Sequence, residues 1–374
     1  MSKKLSFITC ALYGFIILAV WVAFLFFPAK DFSPTENRML AQAPSLSAGE
    51  LIDGGYAEKF SDFCADQFPL RAPLLSLNSS YELALGKSES NKVIYGKNGV
   101  LVKRLEYNDS HELKTNLLAI DSICRFAEEN GAEAYFFCAP RAIDVLGNYC
   151  PAHFEARGSQ TLWDTVASYN AITANELLRS KADSGEYVFY KTDHHWTTLG
   201  AYYAYSELGK ALGYSPYPLS DFDAETVSDS FLGTSYSASL FPSVSPDKIT
   251  AMRYDGDGKI SVTDLNTAKR FWLYDFSALE TSSKYDFFLG GNKAHLRVGN
   301  RNMPRLVIIK DSFANSLVPF LALHYDIDVI DPRYLREPLE NVLSELYSKE
   351  DSSALLVLFN LDSLTGDVGL KKID

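Results

Sequence analysis

The stretch PRLVIIKD at residues 304–311 decides the fold class. Its consecutive apolar residues predict a strand that is buried on both faces. The runs DIDVID at 326–331 and ALLVLFN at 354–360 have the same character. Helices are predicted between these strands, at 313–323 and 334–349. Strands that alternate with helices in this way predict an α/β fold, with helices on both faces of a mostly parallel sheet.

The same alternation continues upstream of these three strands. The predicted elements are a hairpin at 92–104 that turns at Asn98-Gly99, a helix at 111–129, a buried strand at 132–140, a strand at 185–190, and a helix capped by Thr197 or Thr198. In sheets of this kind, reactive groups gather beyond the carboxyl ends of the strands. A functional residue should therefore follow a strand closely.

The N-terminus predicts attachment to a membrane. Lys3 and Lys4 precede Leu5–Phe27, which holds no charged residue and is long enough to cross a bilayer as a helix. The positive end favours a cytoplasmic N-terminus, with the remainder outside the cell. No small-x-small cleavage site follows, so an uncleaved anchor is favoured over a removed signal peptide.

Three regions follow from this organisation. Residues 1–28 are predicted to form the transmembrane anchor, and residues 29–90 a juxtamembrane stem and helical segment that packs on the domain. Residues 91–374 are predicted to form the α/β domain. The formal net charge of -12 argues against nucleic acid or an anionic membrane surface as the main partner.

The five cysteines fit an exported protein. Cys10 lies in the predicted anchor, and the other four allow three full pairings. Cys138 with Cys150 is the preferred pair, and buried free thiols are an equally good alternative. No CxxC motif is present, so a cysteine-based zinc site is disfavoured. We expect neither a metal nor a cofactor.

Three residues meet the condition of following a strand. Asp193 and His195, in KTDHHW, come after the predicted strand at 185–190, and Ser312 comes after the strand at 304–311. In an extended segment, side chains at i and i+2 point to the same side. Asp193 can then accept a hydrogen bond from Nδ1–H of His195, leaving Nε2 to take a proton from a serine. His194 is expected to point the other way.

The predicted position of Ser312 at a strand-to-helix turn suits acyl transfer. Its backbone N–H and the helix dipole can stabilise an oxyanion, while Asp311 caps or orients the turn. Trp196 is expected to wall the site and limit access of water. The GxSxG nucleophile elbow is absent, so a standard α/β-hydrolase is disfavoured.

Five further residues are weaker candidates. Gly291 and Asn292, in LGGN, can complete an oxyanion hole, although a glycine-rich turn is the alternative. Arg141 follows a strand and can bind an acidic group of the substrate, or form a surface ion pair. Arg333 and Tyr334 also follow a strand and are candidates to line the cleft.

The blocks KTDHHWTTLGAYYAY and IIKDSFANSLVPFL resemble the DHHW-motif family, which is related to alginate O-acetylation proteins with SGNH-hydrolase-like domains. Other blocks look like the family's in the same order, over roughly residues 30–365: FPLRAPLLSL, GKNGVLVKR, FCAPRAIDV, FLGTSYSASL, FFLGGNKAHLRV and IDPRYL. The resemblance implies an SGNH-hydrolase-like three-layer α/β/α domain and a triad of Asp193, His195 and Ser312. It also implies an exported, membrane-tethered protein that acts on O-acyl groups of cell-surface polymers.

Three functions compete at this point. The first is a serine O-acetyltransferase or O-acetylesterase of a cell-surface polysaccharide or wall polymer, with a membrane-bound acyltransferase as the partner that the family's usual arrangement implies. The second is a non-catalytic glycan-binding or assembly protein of a polymer-acetylation system. The third is a metal-dependent hydrolase that uses residues 193–195 with His295 or His324. It is disfavoured because adjacent histidines should face opposite sides of an extended chain.

Overall fold

A computed structural model describes residues 3–104, 111–152, 154, 159–242, 244–299, 303–348, 354–371 and 373. The chain forms two compact units. The first unit comprises Met1–Lys87 and Ser237–Pro242. The second comprises Ser88–Tyr236 and Ser243–Asp374, and it contains the predicted sheet.

The first unit begins with a long apolar helix, α1 (Lys3–Phe26). Within α1, the segment Lys4–Phe24 is long and apolar enough to cross a membrane, a test that a signal sequence also passes. The remaining elements of this unit are β1 (Phe32–Ser33), β2 (Arg38–Met39), α2 (Ala48–Asp53), α3 (Gly55–Asp66) and α4 (Arg71–Ala84). The Arg38 guanidinium joins β2 to α3 by donating to both oxygens of Asp66, at 2.8 and 2.6 Å.

The rest of the chain alternates strands and helices. The helices are α5 (His111–Glu129), α6 (Ala142–Leu146), α7 (Ser159–Ala167), α8 (Asn175–Asp183), α9 (Thr198–Leu212), α10 (Thr234–Ser239), α11 (Val318–Leu321), α12 (Leu339–Tyr347) and α13 (Leu361–Leu364). The strands are β3 (Glu89–Ser90), β4 (Val93–Tyr95), β5 (Leu101–Lys103), β6 (Ala134–Ala139), β7 (Asp223–Phe231), β8 (Asp247–Arg253), β9 (Ser261–Asp264), β10 (Arg270–Trp272), β11 (His295–Val298), β12 (Arg305–Lys310), β13 (Asp326–Ile330) and β14 (Ala354–Asn360). Short 3₁₀ turns lie at Lys97–Gly99, Gly147–Tyr149, Leu219–Asp221, Asp257–Lys259, Phe276–Glu280, Lys284–Phe287, Ser312–Ser316 and Pro332–Tyr334.

The central sheet has seven strands in the order β10-β9-β11-β13-β12-β14-β6. The four strands β13, β12, β14 and β6 are parallel, whereas β11, β9 and β10 add an antiparallel edge. The predicted α/β fold with a large, mostly parallel sheet is therefore confirmed in this form. The antiparallel edge is an addition that the sequence pattern did not show.

The strand at 304–311 is buried on both faces, as its sequence predicts. Leu306 and Ile308 face one apolar cluster, which includes residues of α9 and α11. Val307 and Ile309 face the other cluster, which includes residues of α5 and α12. Alternate side chains of a strand point to opposite faces, so helices cover the sheet on both sides.

The upstream elements were predicted with mixed success. The helix at 111–129, the hairpin around Asn98-Gly99 and the Thr197 cap are confirmed. The prediction of a strand at 185–190 is wrong. Phe189 forms only an isolated bridge with Trp196, and Tyr190 N–H donates to His195 O. Its apolar residues pack in the core from a loop, which gives the same hydrophobic pattern as a strand.

Two predicted helices are shorter than expected. The segment at 313–323 is a 3₁₀ turn followed by the single turn of α11. The segment at 334–349 contains α12 only from residue 339, because Pro338 lacks the N–H that an interior helical residue donates. Position 349 lies outside the described residues.

The predicted disulfide between Cys138 and Cys150 is not formed. All five cysteines are free thiols. Cys138 on β6 belongs to one apolar cluster and Cys150 to the other, so the two thiols lie on opposite faces of the sheet. Burial raises the pKa of Cys150 to about 11, which is typical of an unreactive core thiol.

One buried carboxylate contributes to the stability of the sheet. Asp328 on β13 accepts hydrogen bonds from Arg305, Arg297 and His295 at 2.9 to 3.2 Å. Burial works to raise the pKa of Asp328, but these partners hold it well below its usual value of 3.8. The stabilising contribution is therefore present above about pH 4 and is lost as the pH falls further.

Replacement of Asp328 by asparagine should lower the free energy of unfolding at pH 7 by about 2 kcal/mol, because charge-assisted hydrogen bonds are lost. Urea unfolding of the full-length protein in detergent measures this difference, with exposed Asp223→Asn as the control. The difference should shrink below pH 4. A difference that grows in acid would contradict this assignment.

Candidate active site

Ser312 lies at the carboxyl end of the central strand β12 and begins a 3₁₀ turn. Asp311 caps this turn by accepting from Phe313 N–H at 2.9 Å. Its second oxygen accepts from Asn360 N–H and Ser363 Oγ, both at 2.7 Å, at the end of β14. The ends of two parallel strands are thus tied together, and this fixes the backbone that carries Ser312.

The DHHW loop, residues 193–196, is joined to the same turn. The Trp196 side chain is fully buried, and its Nε1–H donates to Phe313 O at 3.1 Å and Ser316 Oγ at 3.0 Å. Trp196 therefore holds the loop against the serine-bearing turn from inside the core. Its contacts are those of a positioning residue; the predicted part in limiting water access stays a prediction.

The loop and the turn bring Asp193, His195 and Ser312 into one hydrogen-bonded chain. Ser312 Oγ lies 2.7 Å from His195 Nε2, and His195 Nδ1 lies 2.5 Å from Asp193 Oδ1. Asp193 and His195 are buried, while Ser312 is half-buried. This geometry allows a proton to pass from the serine hydroxyl to an imidazole that a carboxylate orients.

Asp193 is held in its ionised form. Its Oδ2 accepts from Thr234 N–H at 2.8 Å and Thr234 Oγ1 at 2.9 Å, and its Oδ1 also accepts from His195 N–H at 3.0 Å. Burial works to raise the pKa of Asp193, but the neighbouring His195 and His194 and these hydrogen bonds hold it well below its usual value. A permanent negative charge therefore faces the imidazole at neutral pH.

An aromatic ring fixes the plane of the imidazole. The Tyr285 ring stacks on His195 with centroids 3.9 Å apart and an angle of 9° between the planes. Tyr285 Oη is itself held 3.1 Å from Ser316 Oγ and 3.3 Å from Ser312 O. The sequence analysis missed Tyr285, because it lies in a 3₁₀ turn with no strand before it.

His194 does not point away from the site, contrary to expectation. Its ring centroid lies 3.9 Å from that of His195, and its Nδ1 lies 2.6 Å from Thr234 Oγ1. Since the Thr234 hydroxyl donates to Asp193, His194 Nδ1–H is the donor to Thr234. Burial and the adjacent His195 lower the pKa of His194 to about 4, so this ring is neutral at pH 7.

These three residues are also the possible metal ligands. One donor atom from each of Asp193, His194 and His195 lies within 4.8 Å of the others. However, both nitrogens of His195 and both oxygens of Asp193 already have protein partners. His295 pairs with Asp328, and His324 with Tyr205, so the suggested additional ligands are engaged elsewhere. The donor set suits proton transfer better than ligation.

Gly233 lets the chain pass close to Asp193. A Cβ atom at this position would lie 2.2 Å from Asp193 Cβ and 2.4 Å from its Oδ2. Only glycine has no side-chain atom to place there. The sequence block FLGTSYSASL contained this glycine and Thr234, but nothing local in the pattern connected either to the histidines.

The acyl-transfer hypothesis predicts that Gly233→Ala displaces the Asp193 carboxylate and lowers the rate of 4-nitrophenyl acetate hydrolysis by about 100-fold, since small shifts of catalytic groups are costly. Gly258→Ala is the matched control, because a Cβ there meets nothing within 4 Å. The hydrolysis rate and the thermal unfolding temperature of both variants should be measured, so that a loss of rate can be separated from a loss of stability. Wild-type rates in Gly233→Ala would contradict the placement of Asp193.

Asp247 supports the loop from behind. Its carboxylate accepts from Lys191 N–H at 2.9 Å, Thr192 N–H at 2.7 Å and Thr192 Oγ1 at 2.5 Å, and also from Tyr187 Oη. These four donors hold the backbone that enters the DHHW loop. Asp247 lies at the start of β8, more than fifty residues further along the chain, so no spacing in the sequence indicated this role.

The candidate oxyanion donors differ in whether they already have hydrogen-bond partners. The Ser312 N–H makes no hydrogen bond to another described residue, so it is free to meet a substrate. The Gly291 N–H already donates to Phe288 O at 3.1 Å. The Asn292 amide oxygen accepts from Lys310 Nζ at 2.8 Å and Asn315 Nδ2 at 3.1 Å. The oxyanion role of these last two residues stays a prediction.

The candidate substrate arginines are both paired with carboxylates. Arg141 is buried and donates twice to Asp144, with both distances 2.7 Å. Arg333 donates to both oxygens of the buried Asp331, at 2.8 and 2.7 Å, and its side chain is 30% exposed. Tyr334 is half exposed next to it. None of these three residues makes a hydrogen bond to residues 193, 195 or 312 within the described part of the chain.

The segment that carries this geometry is similar to known proteins. The model of the DHHW protein family matches residues 167–330, a segment that contains the loop, Thr234, Tyr285 and Ser312. The resemblance inferred from the motifs is therefore confirmed. Among curated protein sequences, none matches the chain significantly.

Two solved structures share the fold of this segment and its surroundings, whereas a third is less similar. A DHHW family protein from Eubacterium siraeum is 22% identical, with a TM-score of 0.56 over 75% of this chain and 94% of that one. PatB1 of Bacillus cereus, determined with a sulfonyl adduct, is 18% identical, with a TM-score of 0.59 over 75% and 100%. The O-acetyltransferase domain of Pseudomonas putida AlgJ is 16% identical, with a TM-score of 0.47 over 75% and 95%.

Proposed function

We propose that this chain is a membrane-anchored serine acyl-transfer enzyme, an O-acetyltransferase or O-acetylesterase of a cell-surface polysaccharide or wall polymer. The observation that carries the proposal is the chain of short contacts from Ser312 Oγ through His195 to Asp193. We assign the three residues the roles of nucleophile, general base and orienting carboxylate. The α/β domain, predicted from residue 91 on, is the SGNH-hydrolase-like unit in this account.

The proposed reaction has two steps. Ser312 Oγ attacks the acyl carbon of the donor while His195 Nε2 takes the hydroxyl proton, and Asp193 stabilises the resulting imidazolium. The Ser312 N–H donates to the oxyanion. When the intermediate collapses, His195 returns the proton to the leaving oxygen and the acyl group stays on Ser312. The same imidazole then deprotonates a sugar hydroxyl in a transferase, or water in an esterase, and that oxygen attacks the acyl carbon. The bond between the acyl carbon and Ser312 Oγ breaks, and His195 returns the proton to Ser312 Oγ.

The neighbouring groups suit this role for His195. Tyr285 on one face keeps the imidazole in plane, and Asp193 fixes Nδ1–H so that Nε2 is the basic atom. PatB1, a protein of similar fold, has been determined with a sulfonyl adduct. Sulfonyl reagents react with activated hydroxyl groups. We therefore expect a sulfonyl reagent to react with Ser312 Oγ in this chain.

The proposed location is outside the cell membrane. The helix within residues 4–24 supplies the anchor, and Lys3 and Lys4 favour a cytoplasmic N-terminus. The substrate is then a glycan of the cell surface or wall, and a membrane-bound acyltransferase is the proposed partner that delivers the acyl group.

The acetyl content of surface polymers tests this function in cells. Replacement of the wild-type gene by Ser312→Ala should lower the ester-bound acetate to the level of a strain without the protein, if the chain transfers acetyl groups, or raise it if the chain removes them. Exposed Ser230→Ala serves as the control. Unchanged acetate in both Ser312→Ala and His195→Ala would favour the non-catalytic glycan-binding or assembly function instead.

A further inference from the structure

His194 is the residue of the DHHW loop whose side chain is open to solvent. That side chain is 36% exposed, against 2% for Asp193 and 6% for His195, and Trp196 is fully buried. The rings of His194 and His195 lie side by side, with centroids 3.9 Å apart and 38° between the planes. The proposed reaction does not use this second imidazole, although it lies next to the general base.

One nitrogen of His194 is available to a ligand. Its Nδ1–H donates to Thr234 Oγ1 at 2.6 Å, because the Thr234 hydroxyl itself donates to Asp193 Oδ2. The proton of the ring is thus on Nδ1, and Nε2 carries the lone pair that accepts a hydrogen bond. Nε2 makes no hydrogen bond to a described residue, and it is not shut off from solvent.

The accepting nitrogens of the two histidines point in the same general direction. His195 Nδ1 lies 2.5 Å and His194 Nδ1 lies 3.8 Å from the same oxygen, Asp193 Oδ1. In an imidazole ring Nε2 points broadly away from Nδ1, so both Nε2 atoms point away from Asp193. Since the rings lie side by side, the two Nε2 atoms are neighbours. His195 Nε2 is the one that lies 2.7 Å from Ser312 Oγ.

Two neighbouring acceptors of this kind match two neighbouring hydroxyl groups of a sugar. In the second step, the hydroxyl that attacks the acyl carbon gives its proton to His195 Nε2. Most sugar hydroxyls have a second hydroxyl on the adjacent carbon, and its O–H can donate to His194 Nε2. A substrate without this second donor leaves His194 Nε2 unpaired in the complex, and such a loss is the usual source of selection by a polar group.

We infer that His194 selects vicinal diols, by accepting a hydrogen bond from the hydroxyl next to the one that carries or receives the acyl group. The inference rests on the proposed function for the acyl-enzyme at Ser312, and it adds the class of sugar hydroxyl that reacts. In a transferase the entering sugar makes this contact, and in an esterase the leaving sugar makes it. A deoxy position or a blocked oxygen beside the reacting hydroxyl is disfavoured in both cases.

Transfer from the acyl-enzyme to two small alcohols tests this inference without knowledge of the polymer. The full-length protein in detergent is acylated with 4-nitrophenyl acetate, with ethane-1,2-diol or 2-methoxyethanol present at the same concentration. Both alcohols have a primary hydroxyl beside a second oxygen, but only the diol can donate from that second oxygen. The wild type should transfer acetyl to the diol about tenfold faster per hydroxyl, as expected for one hydrogen bond.

His194→Asn isolates the contact. The asparagine amide N–H takes the place of Nδ1–H towards Thr234, whereas nothing takes the place of Nε2. This variant should be acylated at nearly the wild-type rate, seen as the burst of 4-nitrophenol, and should transfer acetyl equally to both alcohols. Exposed His111→Asn is the matched control and should keep the preference for the diol.

Equal transfer to the two alcohols by the wild type would overturn the inference, and this measurement does not depend on the folding of a variant. An unchanged preference in His194→Asn, with slower acylation, would also overturn it and would assign His194 to the positioning of Asp193. Mass spectrometry of the wild type separates the two proposals. Acetyl-Ser312 that shows no preference refutes the diol selection alone, whereas absence of acetyl-Ser312 refutes the proposed function on which it rests.

Discussion

Ser312→Ala should reduce hydrolysis of 4-nitrophenyl acetate by about 10⁴-fold or more. The hydroxyl oxygen is the atom that bonds to the acyl carbon, and no other group can replace it at 2.7 Å from His195 Nε2. The same loss should be seen in single-turnover acylation, because the first step is removed.

The fold should survive this substitution. Among the described residues, Ser312 Oγ makes its hydrogen bond to His195 alone, whereas the turn is held by the backbone and by Asp311. Ser230→Ala, on the surface, provides a matched control with an unchanged rate. A Ser312→Ala protein that unfolds at the wild-type temperature and still turns over the ester at a comparable rate would refute the role of Ser312.

Asp193→Asn should lower the turnover number by about 10³- to 10⁴-fold with little effect on KM. The asparagine side chain fits the same space, but it removes the charge that stabilises the imidazolium. It also offers an NH₂ group where the carboxylate accepts from Nδ1–H, and so favours the wrong tautomer of His195. The effect is therefore on the chemical step.

Steady-state kinetics with Asp193→Asn and the surface control Asp229→Asn measure the turnover number and KM separately. The wild-type enzyme should keep its Asp193 charge throughout the acidic range in which it folds, because the pKa of this carboxyl lies well below its usual value. Loss of activity in mild acid is then not caused by protonation of Asp193. An Asp193→Asn variant with a raised KM and an unchanged turnover number would contradict this account.

The sequence predicts the parts of the site that follow strands. Ser312 comes directly after a strand whose apolar run is unmistakable, and the i and i+2 spacing of Asp193 and His195 indicates their hydrogen bond. The Asp193–His195 hydrogen bond is present, although the strand that was expected to precede it is not. Residues 185–190 form a buried loop, so the contact depends on the bends of residues 191–195 and not on a strand.

The supporting residues were beyond prediction for a physical reason. Thr234 begins α10, Asp247 begins β8 and Tyr285 lies in a 3₁₀ turn. All three are about 40 to 90 residues from the histidines. Their hydrogen bonds and ring contact exist only after the tertiary structure brings distant segments together, and hydrophobic periodicity carries no record of them. The antiparallel strands β10 and β11 were missed because they have only three and four residues.

The expectation that His194 points away from the site was wrong because residues 191–195 bend. Alternation of side chains holds for an extended strand, but residues 191–195 bend, and this brings both imidazoles to one side. The hydrogen bond to Thr234 then gives His194 a place beside Asp193 that the spacing did not predict.

Covalent labelling of the full-length protein with a fluorophosphonate or a sulfonyl fluoride, followed by peptide mass spectrometry, tests the central claim most directly. We expect one adduct, on Ser312, formed much more slowly in His195→Gln and absent from Ser312→Ala. An adduct on another residue, or labelling of Ser312→Ala at the wild-type rate, would contradict the account.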